Sequence, residues 1–261
     1  MSYPLIDPVI FEIGPLQVRW YGMMYIFGFA AAYLVLVRLS RYRHFSIDRK
    51  EIEDFLVYGI VGLLVGARFG YALFYNPMYF LANPLSVFAV WEGGLSFHGG
   101  LIGIAVASLV FGKTRDKPFF MLSDMVAVAA PPGLFFGRIG NFINGELYGR
   151  VTDMPWGIVF PGAGPYPRHP SQLYEAFLEG IVLFITLYWL ARKQRVRGFL
   201  GAVFLISYGA ARFVVEFFRE PDAHIGFIAG VFTMGQVLCL MMIAAGVLII
   251  VFQKKRSPQR G

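Results

Sequence analysis

Four residues that can carry polar chemistry recur at intervals of four within an otherwise apolar stretch: Tyr208, Arg212, Glu216 and Glu220. In a helix this spacing places all four side chains along one face. An ionised side chain at the centre of a bilayer costs about 2.5 to 3.5 kcal/mol on insertion scales, so each one needs a partner or a function. The stretch therefore predicts a membrane helix with one polar face.

The elements that must position these residues are apolar blocks that are long enough to cross a membrane. The chain has 261 residues, of which 57% are hydrophobic and only 15% are charged, unlike an average soluble protein. Apolar runs of about 18 residues match the length needed to cross about 30 Å of hydrocarbon. We predict an all-α polytopic membrane protein with about seven transmembrane helices, in one domain over residues 1–261; six or eight spans remain open. The predicted spans lie near 18–37, 55–74, 95–111, 121–137, 174–191, 199–218 and 232–252.

The basic residues between these blocks predict the orientation of the chain. Lys and Arg concentrate in the first, third and fifth loops and in the C-terminal tail, and such residues are retained on the cytoplasmic side. The N-terminus is therefore predicted outside and the C-terminus inside, with residues 138–173 as a small outer cap. The net charge of +7 is explained by this topology, so we expect no nucleic acid partner. The single cysteine, Cys239, lies in an apolar block and is interpreted as a packing residue.

With this orientation, polar groups from five spans reach the same outer layer. At about 1.5 Å per residue, Arg212 lies about 20 Å from the cytoplasmic end of its helix, and Arg68 reaches a similar depth. Arg138 ends the fourth span, and Tyr21 and His98 lie at the outer ends of the first and third. This convergence favours a shared site.

Two interpretations of the buried arginines are open. Arg212 and Glu216 could only neutralise each other as an i,i+4 pair. Alternatively, Arg138 and Arg212 could bind a phosphate, because a guanidinium group donates two parallel hydrogen bonds and stays charged when it is desolvated. The second interpretation predicts a site for an anionic lipid headgroup.

The segment after the fourth span combines glycines with polar side chains. Residues 137–149 read Gly-Arg-Ile-Gly-Asn-Phe-Ile-Asn-Gly-Glu-Leu-Tyr-Gly. Glycines allow sharp turns and close approach of a ligand to the backbone, while the amides and the carboxylate supply donors and acceptors. As a bare pattern, the segment could also be a re-entrant turn whose polar groups satisfy one another.

This segment closely resembles the signature of the bacterial prolipoprotein diacylglyceryl transferases. The resemblance extends over nearly the whole chain, and it includes Trp20-Tyr21-Gly22, Gly66-Ala67-Arg68, residues 96–101, residues 168–175 and Tyr208 to Glu216. It implies transfer of the diacylglyceryl group of phosphatidylglycerol to the thiol of the lipobox cysteine in a prolipoprotein signal peptide. The resemblance also implies the cytoplasmic membrane of bacteria, a site that faces the periplasm, and no metal or organic cofactor.

For this reaction we assign roles to individual residues. Arg138 and Arg212 would clamp the leaving phosphate, while Glu146 and Glu216 would hold the arginines. The resemblance marks Tyr21, Asn141 and Gly149 as important positions, and we expect Gly149 to act through backbone shape. The predicted catalytic residues are His98, Arg138, Arg212, Tyr21 and Glu146. The residues predicted to bind phosphatidylglycerol are Arg138, Asn141, Asn144, Gly149, Arg68, Tyr208 and Glu216.

His98 is the candidate general base, because imidazole exchanges a proton near neutral pH. In the alternative interpretation its ring only holds the Gly99-Gly100 turn or contacts a headgroup, and Tyr21 or the substrate phosphate takes the proton. His169 is interpreted as a residue at the start of the fifth span.

Two other classes of membrane protein compete with a transferase. A transporter or channel for anionic solutes also uses buried arginines and interrupted helices, but the sequence has no inverted repeat. An intramembrane hydrolase would need a Ser-His or paired-aspartate site. Asp124 is the only aspartate within a predicted span, so the hydrolase is disfavoured.

Overall fold

The computed structural model describes residues 1–4, 6–14, 16–42, 45–89, 93–220, 227–228 and 232–256. Its contacts form two compact units, Met1–His44 with Asp124–Gly261, and Phe45–Ser123. The elements in chain order are β1 (Val9–Ile13), β2 (Leu16–Arg19), α1 (Trp20–Leu39), α2 (Arg49–Phe74), α3 (Pro77–Ala82), a 3-10 helix (Pro84–Phe88), α4 (Phe97–Thr114), α5 (Phe119–Ile143), α6 (Ser171–Glu175), a π-helix (Ala176–Val182), α7 (Leu183–Ala191), α8 (Phe199–Glu216), β3 (Phe227–Ile228), β4 (Phe232–Thr233) and α9 (Met234–Arg256).

Six helical stretches in the described part of the chain are long and apolar enough to cross a membrane, and His98–Thr114 is a shorter apolar helix. Together they overlap all seven predicted spans. The prediction of an all-α polytopic membrane protein is therefore confirmed, while the orientation of its termini stays a prediction.

In the second unit, α2 and α4 pack through glycines. A Cβ atom on Gly103 would lie 1.9 Å from the carbonyl oxygen of Gly62, and one on Gly66 would lie 2.4 Å from that of Gly99. Backbones that approach this closely leave no room for a side chain, as in other membrane helix pairs with small residues at the contact. Gly62, Gly66 and Gly70 recur every four residues in the sequence of α2, a spacing that predicts a face for close helix contact, and the structure packs α4 against all three.

In the first unit, α5 continues to Ile143, whereas the sequence analysis ended this span at residue 137. The sequence predicted that Gly140 follows the span, in a segment whose glycines allow sharp turns, but Gly140 lies inside the helix and against α1, where an added Cβ would lie 3.0 Å from the Tyr21 ring. Arg138 and Asn141 consequently lie on the last turns of a helix and not in a loop. A rigid helix therefore positions both side chains.

The start of α8 is held by a carboxylate from α5. The side chain of Asp124 accepts hydrogen bonds from the backbone N–H groups of Gly198 at 2.7 Å and Gly201 at 2.8 Å. These N–H groups lack partners within the helix, and an anion at a helix N-terminus is favourable. The only aspartate predicted within a span thus has a structural role in fixing the position of α8.

The segment between α5 and α6 forms an ordered cap together with the N-terminus. Tyr3, Ile158 and Phe160 form a buried cluster, and the Tyr3 hydroxyl donates at 2.7 Å to the carbonyl oxygens of Phe142 and Ile143 at the end of α5. Burial raises the pKa of the Tyr3 hydroxyl, so it remains a donor. The cap is thereby fixed to the helix that carries Arg138.

The hairpin of β1 and β2 was not predicted. The strands pair antiparallel, with Glu12 opposite Gln17, and the sequence analysis assigned no strand to this region. Gly14 has φ +59° in the turn, a backbone conformation that glycine adopts without strain.

Candidate active site

The centre of the candidate site is the carboxylate of Glu175, which three arginines share. Its Oε2 atom lies 2.6 Å from Nε of Arg138 and 2.7 Å from a terminal nitrogen of Arg212. Its Oε1 atom accepts a hydrogen bond of 2.9 Å from Arg219. Arg138 comes from the end of α5, Arg212 from α8, and Arg219 from the residues just after α8. One carboxylate thus brings together guanidinium groups from distant parts of the chain.

Two more glutamates flank these groups. Glu216 lies 3.5 Å from Arg212 and 3.6 Å from Arg219, and it accepts a hydrogen bond of 3.1 Å from the Thr233 hydroxyl. Glu179 lies 3.8 Å from Arg212. We name the six charged residues the arginine cluster: Arg138, Arg212, Arg219, Glu175, Glu179 and Glu216.

The two kinds of charge in the arginine cluster differ in exposure. The arginine side chains are 17 to 19% exposed, whereas Glu175 and Glu179 are 0% exposed and Glu216 is 9% exposed. The carboxylates therefore hold the guanidinium groups from the buried side. The partly exposed arginines are thus more accessible to an approaching anion than the carboxylates are, and guanidinium groups are suited to bind phosphate.

A chain of polar contacts connects the arginine cluster to the signature segment. Arg138 donates at 3.3 Å to the side-chain oxygen of Asn141, and Asn141 donates at 2.9 Å to Glu146. Asn144 donates to the same Glu146 oxygen at 3.1 Å. The sequence analysis expected Glu146 to hold an arginine directly. The structure places it one step further away, where it orients the two asparagines.

The turn that carries Glu146 is fixed by the start of the fifth span. Gln172 donates at 2.5 Å to the carbonyl oxygen of Glu146, and Ser171 donates at 3.1 Å to that of Leu147. Gly145 and Leu147 have φ values of +66° and +56°, which for leucine is an uncommon and costly conformation. The hydrogen bonds from Gln172 and Ser171 to the carbonyl groups of Glu146 and Leu147 stabilise the turn and offset this backbone strain.

Gly149 lies where the cap meets the end of α8. Its N–H donates at 2.8 Å to the carbonyl oxygen of His169, and a Cβ atom at this position would lie 2.2 Å from the carbonyl oxygen of Phe218. No other residue type fits there unless the backbone moves. This contact gives a steric reason for the expected dependence on backbone shape.

His169 takes part in an aromatic network behind this contact. Its Nδ1 atom lies 3.1 Å from the Tyr174 hydroxyl, which also accepts a hydrogen bond of 2.7 Å from Trp156. The ring of Phe218 packs 5.1 Å from the imidazole. Burial lowers the pKa of His169, so its neutral form predominates near neutral pH. Its position just before Ser171 agrees with the expected role at the start of the fifth span.

Tyr21 and Tyr208 also lie in the first unit. The Tyr21 hydroxyl is 3.3 Å from the Tyr25 hydroxyl, and the Tyr21 ring packs over Gly140 of the signature segment. Tyr208 stacks on Phe204, with ring centroids 5.5 Å apart, one helical turn before Arg212. Tyr208 thus lies on the helix that carries Arg212, and Tyr21 contacts α5, which carries Arg138.

Arg68 and His98 belong to the second unit. Arg68 is 4% exposed and donates to the carbonyl oxygens of Val87 at 3.0 Å and Ser86 at 2.5 Å, and also to that of Gly93. Its described hydrogen-bond partners are thus backbone carbonyls of the connection between α3 and α4, and its guanidinium group also lies over the Phe80 ring of α3, 5.1 Å from the centroid. The lipid contact expected for Arg68 stays a prediction.

His98 is exposed in the first turn of α4. In the same turn, the Ser96 hydroxyl accepts a hydrogen bond of 3.2 Å from the N–H of Gly99. Ser96 therefore caps the helix before Gly99 and Gly100. The sequence analysis had offered the holding of this turn as an alternative role for His98. The proposal that His98 acts as a base stays open to experiment.

Sequence reasoning missed Glu175, Glu179 and Arg219. A signal was present, because Glu175 and Glu179 are acidic residues in an apolar stretch and neither has a basic neighbour within the predicted fifth span. Such residues require a partner from another helix. Among the described residues, no group of three or more His, Cys, Asp or Glu side chains could hold a metal ion.

Residues 8–252 match the family model described as prolipoprotein diacylglyceryl transferase. The chain belongs to this family. A relative named phosphatidylglycerol–prolipoprotein diacylglyceryl transferase from Geobacter sulfurreducens is 51% identical over 257 residues, which cover 98% of this chain and 99% of the relative. Proteins with the same name from Oleidesulfovibrio alaskensis and Pseudoalteromonas translucida are 50% and 48% identical over 260 residues, which cover 99% and 100% of this chain and 97% of each relative. The resemblance found in the sequence is therefore confirmed, and the relatives do not favour the transporter.

Proposed function

We propose that this chain transfers the diacylglyceryl group of phosphatidylglycerol to the thiol of a lipobox cysteine in a prolipoprotein signal peptide. The reaction forms a thioether, releases glycerol phosphate, and is the first step of bacterial lipoprotein maturation. The observation that carries the proposal is the set of three partly exposed arginines around Glu175, in a chain about 50% identical to proteins with this name.

The bonds that change define what the site must supply. The thiol loses its proton, a sulfur–carbon bond forms at the glyceryl carbon, and the bond from that carbon to the phosphate oxygen breaks. The electron pair leaves with the phosphate, which becomes a monoester with more negative charge. Preorganised cations at the position of developing charge are the largest source of rate enhancement in such steps. Arg138 and Arg212 are the groups that we assign to this role.

The remaining assigned residues position the substrates. Asn141 and Asn144 are held by Glu146 and would orient the lipid headgroup, while Tyr21, Tyr208 and Gly149 shape the site. His98 is our candidate for the base that accepts the thiol proton. Arg68 would bind the headgroup only if it exchanged its present carbonyl partners for the lipid.

The proposed location follows from the basic residues and from the substrates. The structure has six apolar helices that could span a membrane, so the protein is a multi-pass membrane protein. We infer the bacterial cytoplasmic membrane, with the active site facing the periplasm, because the basic loops predict that orientation.

The decisive experiment uses purified protein, phosphatidylglycerol and a synthetic lipobox peptide. We expect the peptide to gain the mass of one diacylglyceryl group, and glycerol phosphate to appear in equal amount. A peptide with Ser in place of the lipobox Cys is the matched control and should stay unmodified. If the Cys peptide keeps its mass while the protein moves anions across vesicles, the transporter is the better explanation.

A further inference from the structure

Glu179 differs from the other glutamates of the arginine cluster. It is 0% exposed, and neither of its oxygens accepts a hydrogen bond from the part of the chain that the structure describes. By contrast, Glu175 accepts one from Arg219, and Glu216 accepts one from Thr233. Among the residues that the structure describes, the ion-pair partner of Glu179 is Arg212 at 3.8 Å, so this buried carboxyl group has one distant ion pair there.

The position of Glu179 is fixed by the backbone. It lies in the π-helix Ala176–Val182, and the next residue, Gly180, packs so closely on α5 that an added Cβ would lie 2.6 Å from that of Phe135. The groups that face Glu179 electrostatically come from α5, α6, α8, the residues after α8, and α9. They are Arg138, Glu175, Tyr208, Arg212, Arg219 and Cys239.

A buried carboxylate is stable only if it is paired and hydrogen-bonded, because transfer from water to a low-dielectric interior penalises the charged form. Glu175 meets this requirement through three arginines. The same arginines have their closest contacts with Glu175, so little compensation remains for a second buried charge. The protonated, neutral carboxyl group is therefore the form of Glu179 that this environment favours.

The protonation state of Glu179 sets the net charge of the arginine cluster. Three arginines carry three positive charges, and ionised Glu175 and Glu216 carry two negative charges, which leaves one positive charge when Glu179 is neutral. Glu146 is exposed, so water screens its charge. A phospholipid phosphodiester carries one negative charge, so its binding neutralises the buried site.

We propose that Glu179 holds a proton in the resting protein and so leaves the arginine cluster with one positive charge, matched to the single charge of an anionic phospholipid. This inference rests on the proposed function and names a determinant of its lipid specificity. Glu179 is a positioning residue that acts through Arg212, because its buried carboxyl group does not reach the lipid itself.

The first test measures the proton directly. Infrared spectra of full-length protein labelled with ¹³C-glutamate, in an ester-free detergent and before lipid is added, should contain the carbonyl band of a protonated carboxylic acid at neutral pH. The band should be absent in Glu179→Gln. A wild-type spectrum without the band, or a band that remains in the variant, would overturn the proposal. This readout does not depend on transfer activity, so it separates a failure of the inference from a failure of the proposed function.

The second test compares the same substitution at two neighbouring glutamates. Glutamine resembles a protonated glutamate in size and charge, so the loss of kcat/KM in Glu179→Gln should be at least about tenfold smaller than in Glu175→Gln. Glu175→Gln removes the carboxylate that three arginines share and should reduce kcat/KM at least about 100-fold, by the loss expected for a group that orients charge stabilisation. A tenfold or larger rise in KM for Glu179→Gln would show that the ionised form is required.

Glu179→Met, with an unbranched neutral side chain, replaces Glu179→Gln if the glutamine variant does not accumulate in membranes. It should also lack the infrared band, and its affinity for phosphatidylglycerol should fall less than that of Glu175→Gln. An exposed control is Glu12→Gln, because Glu12 lies in β1 and pairs with Gln17 on the surface. It should match wild type in both tests. A Glu179→Met protein that folds but binds the lipid tenfold more weakly would overturn the proposal.

Discussion

Two buried arginine environments in this molecule differ in what satisfies the guanidinium group. Arg68 in α2 donates to the backbone carbonyls of one connection and is 4% exposed. Arg138 and Arg212 share a carboxylate, and each keeps 17 to 19% of its side chain exposed. The carbonyl partners of Arg68 are neutral, so they do not cancel its charge, but they occupy its N–H donors. Glu175, by contrast, forms ion pairs with both Arg138 and Arg212 through one oxygen atom. The comparison shows that burial of a cation does not by itself indicate a ligand site.

The largest effect should come from removing either half of the phosphate clamp. Arg138→Ala or Arg212→Ala should lower kcat/KM for lipid transfer at least about 100-fold, because a preorganised cation is lost from the leaving phosphate. The amount of protein in the membrane should stay near wild type. Transfer of radiolabelled lipid to a lipobox peptide measures the activity. Full activity in Arg138→Ala would remove the clamp from the mechanism.

His98→Gln should have the next largest effect if His98 takes the thiol proton. We expect kcat to fall about 100-fold at neutral pH, within the range typical of a lost general base. Activity should recover as the pH rises, because the peptide thiol then ionises without assistance. A small loss that is the same at every pH would place the base elsewhere, with Tyr21 or the substrate phosphate as the next candidates.

Gly149→Ala should act through the backbone contact with Phe218. Forcing a methyl group into a filled site typically costs about 1 to 3 kcal/mol, and here the strain moves the segment that carries Glu146. We expect a lower unfolding temperature in detergent and a clear loss of activity. Gly59→Ala is the matched control, because a Cβ at Gly59 meets nothing within 4 Å. Equal stability in both variants would contradict the steric explanation.

Arg68→Gln sharpens the comparison of the two arginine environments. Carbonyl groups that lose a buried donor cost about 1 to 3 kcal/mol, so we expect lower thermal stability. The KM for phosphatidylglycerol should stay near wild type, since the donors of Arg68 are bound to backbone carbonyls. A large rise in KM at unchanged stability would support the lipid contact predicted for Arg68 from the sequence.

The smallest expected effect concerns His169 and pH. Burial lowers the pKa of His169 in the folded protein, so the unfolded chain binds the proton more readily. Stability should therefore decrease as the pH falls through the ordinary histidine range, and level off below the folded pKa. Thermal unfolding in detergent at several pH values measures this slope. His169→Gln should reduce it, and an unchanged slope would assign the dependence to other groups.

Most of the fold could be predicted because its signals are local. Apolar length gave the position of each span, and the four-residue spacing of Gly62, Gly66 and Gly70 gave a helix-contact face that the structure contains. Helix ends were harder to predict. The fourth span was predicted to end near residue 137, but α5 stays helical to Ile143, where Gly140 packs against Tyr21 of α1.

The candidate site could be predicted only in part, for a related reason. The four-residue spacing within one helix predicts that Arg212 pairs with Glu216, and the structure contains this ion pair at 3.5 Å. Glu175 forms the shorter contacts, yet it is distant from all three arginines in the sequence. Only the packing of α5, α6 and α8 brings these charges together. No periodic pattern in a single sequence predicts a contact between residues of different helices.

The π-helix Ala176–Val182 has a consequence for protein engineering. A wider turn holds more residues than an α-helical turn, so removing one residue from this segment would let the chain return to regular α-helix. Side chains beyond the deletion would keep nearly the same direction relative to Glu175, because the turn would lose only the residue by which it exceeds an α-helical turn. By contrast, a one-residue deletion in α7 would rotate every later side chain of that helix by about 100° about its axis, so the two segments should differ in how they tolerate the loss of a residue.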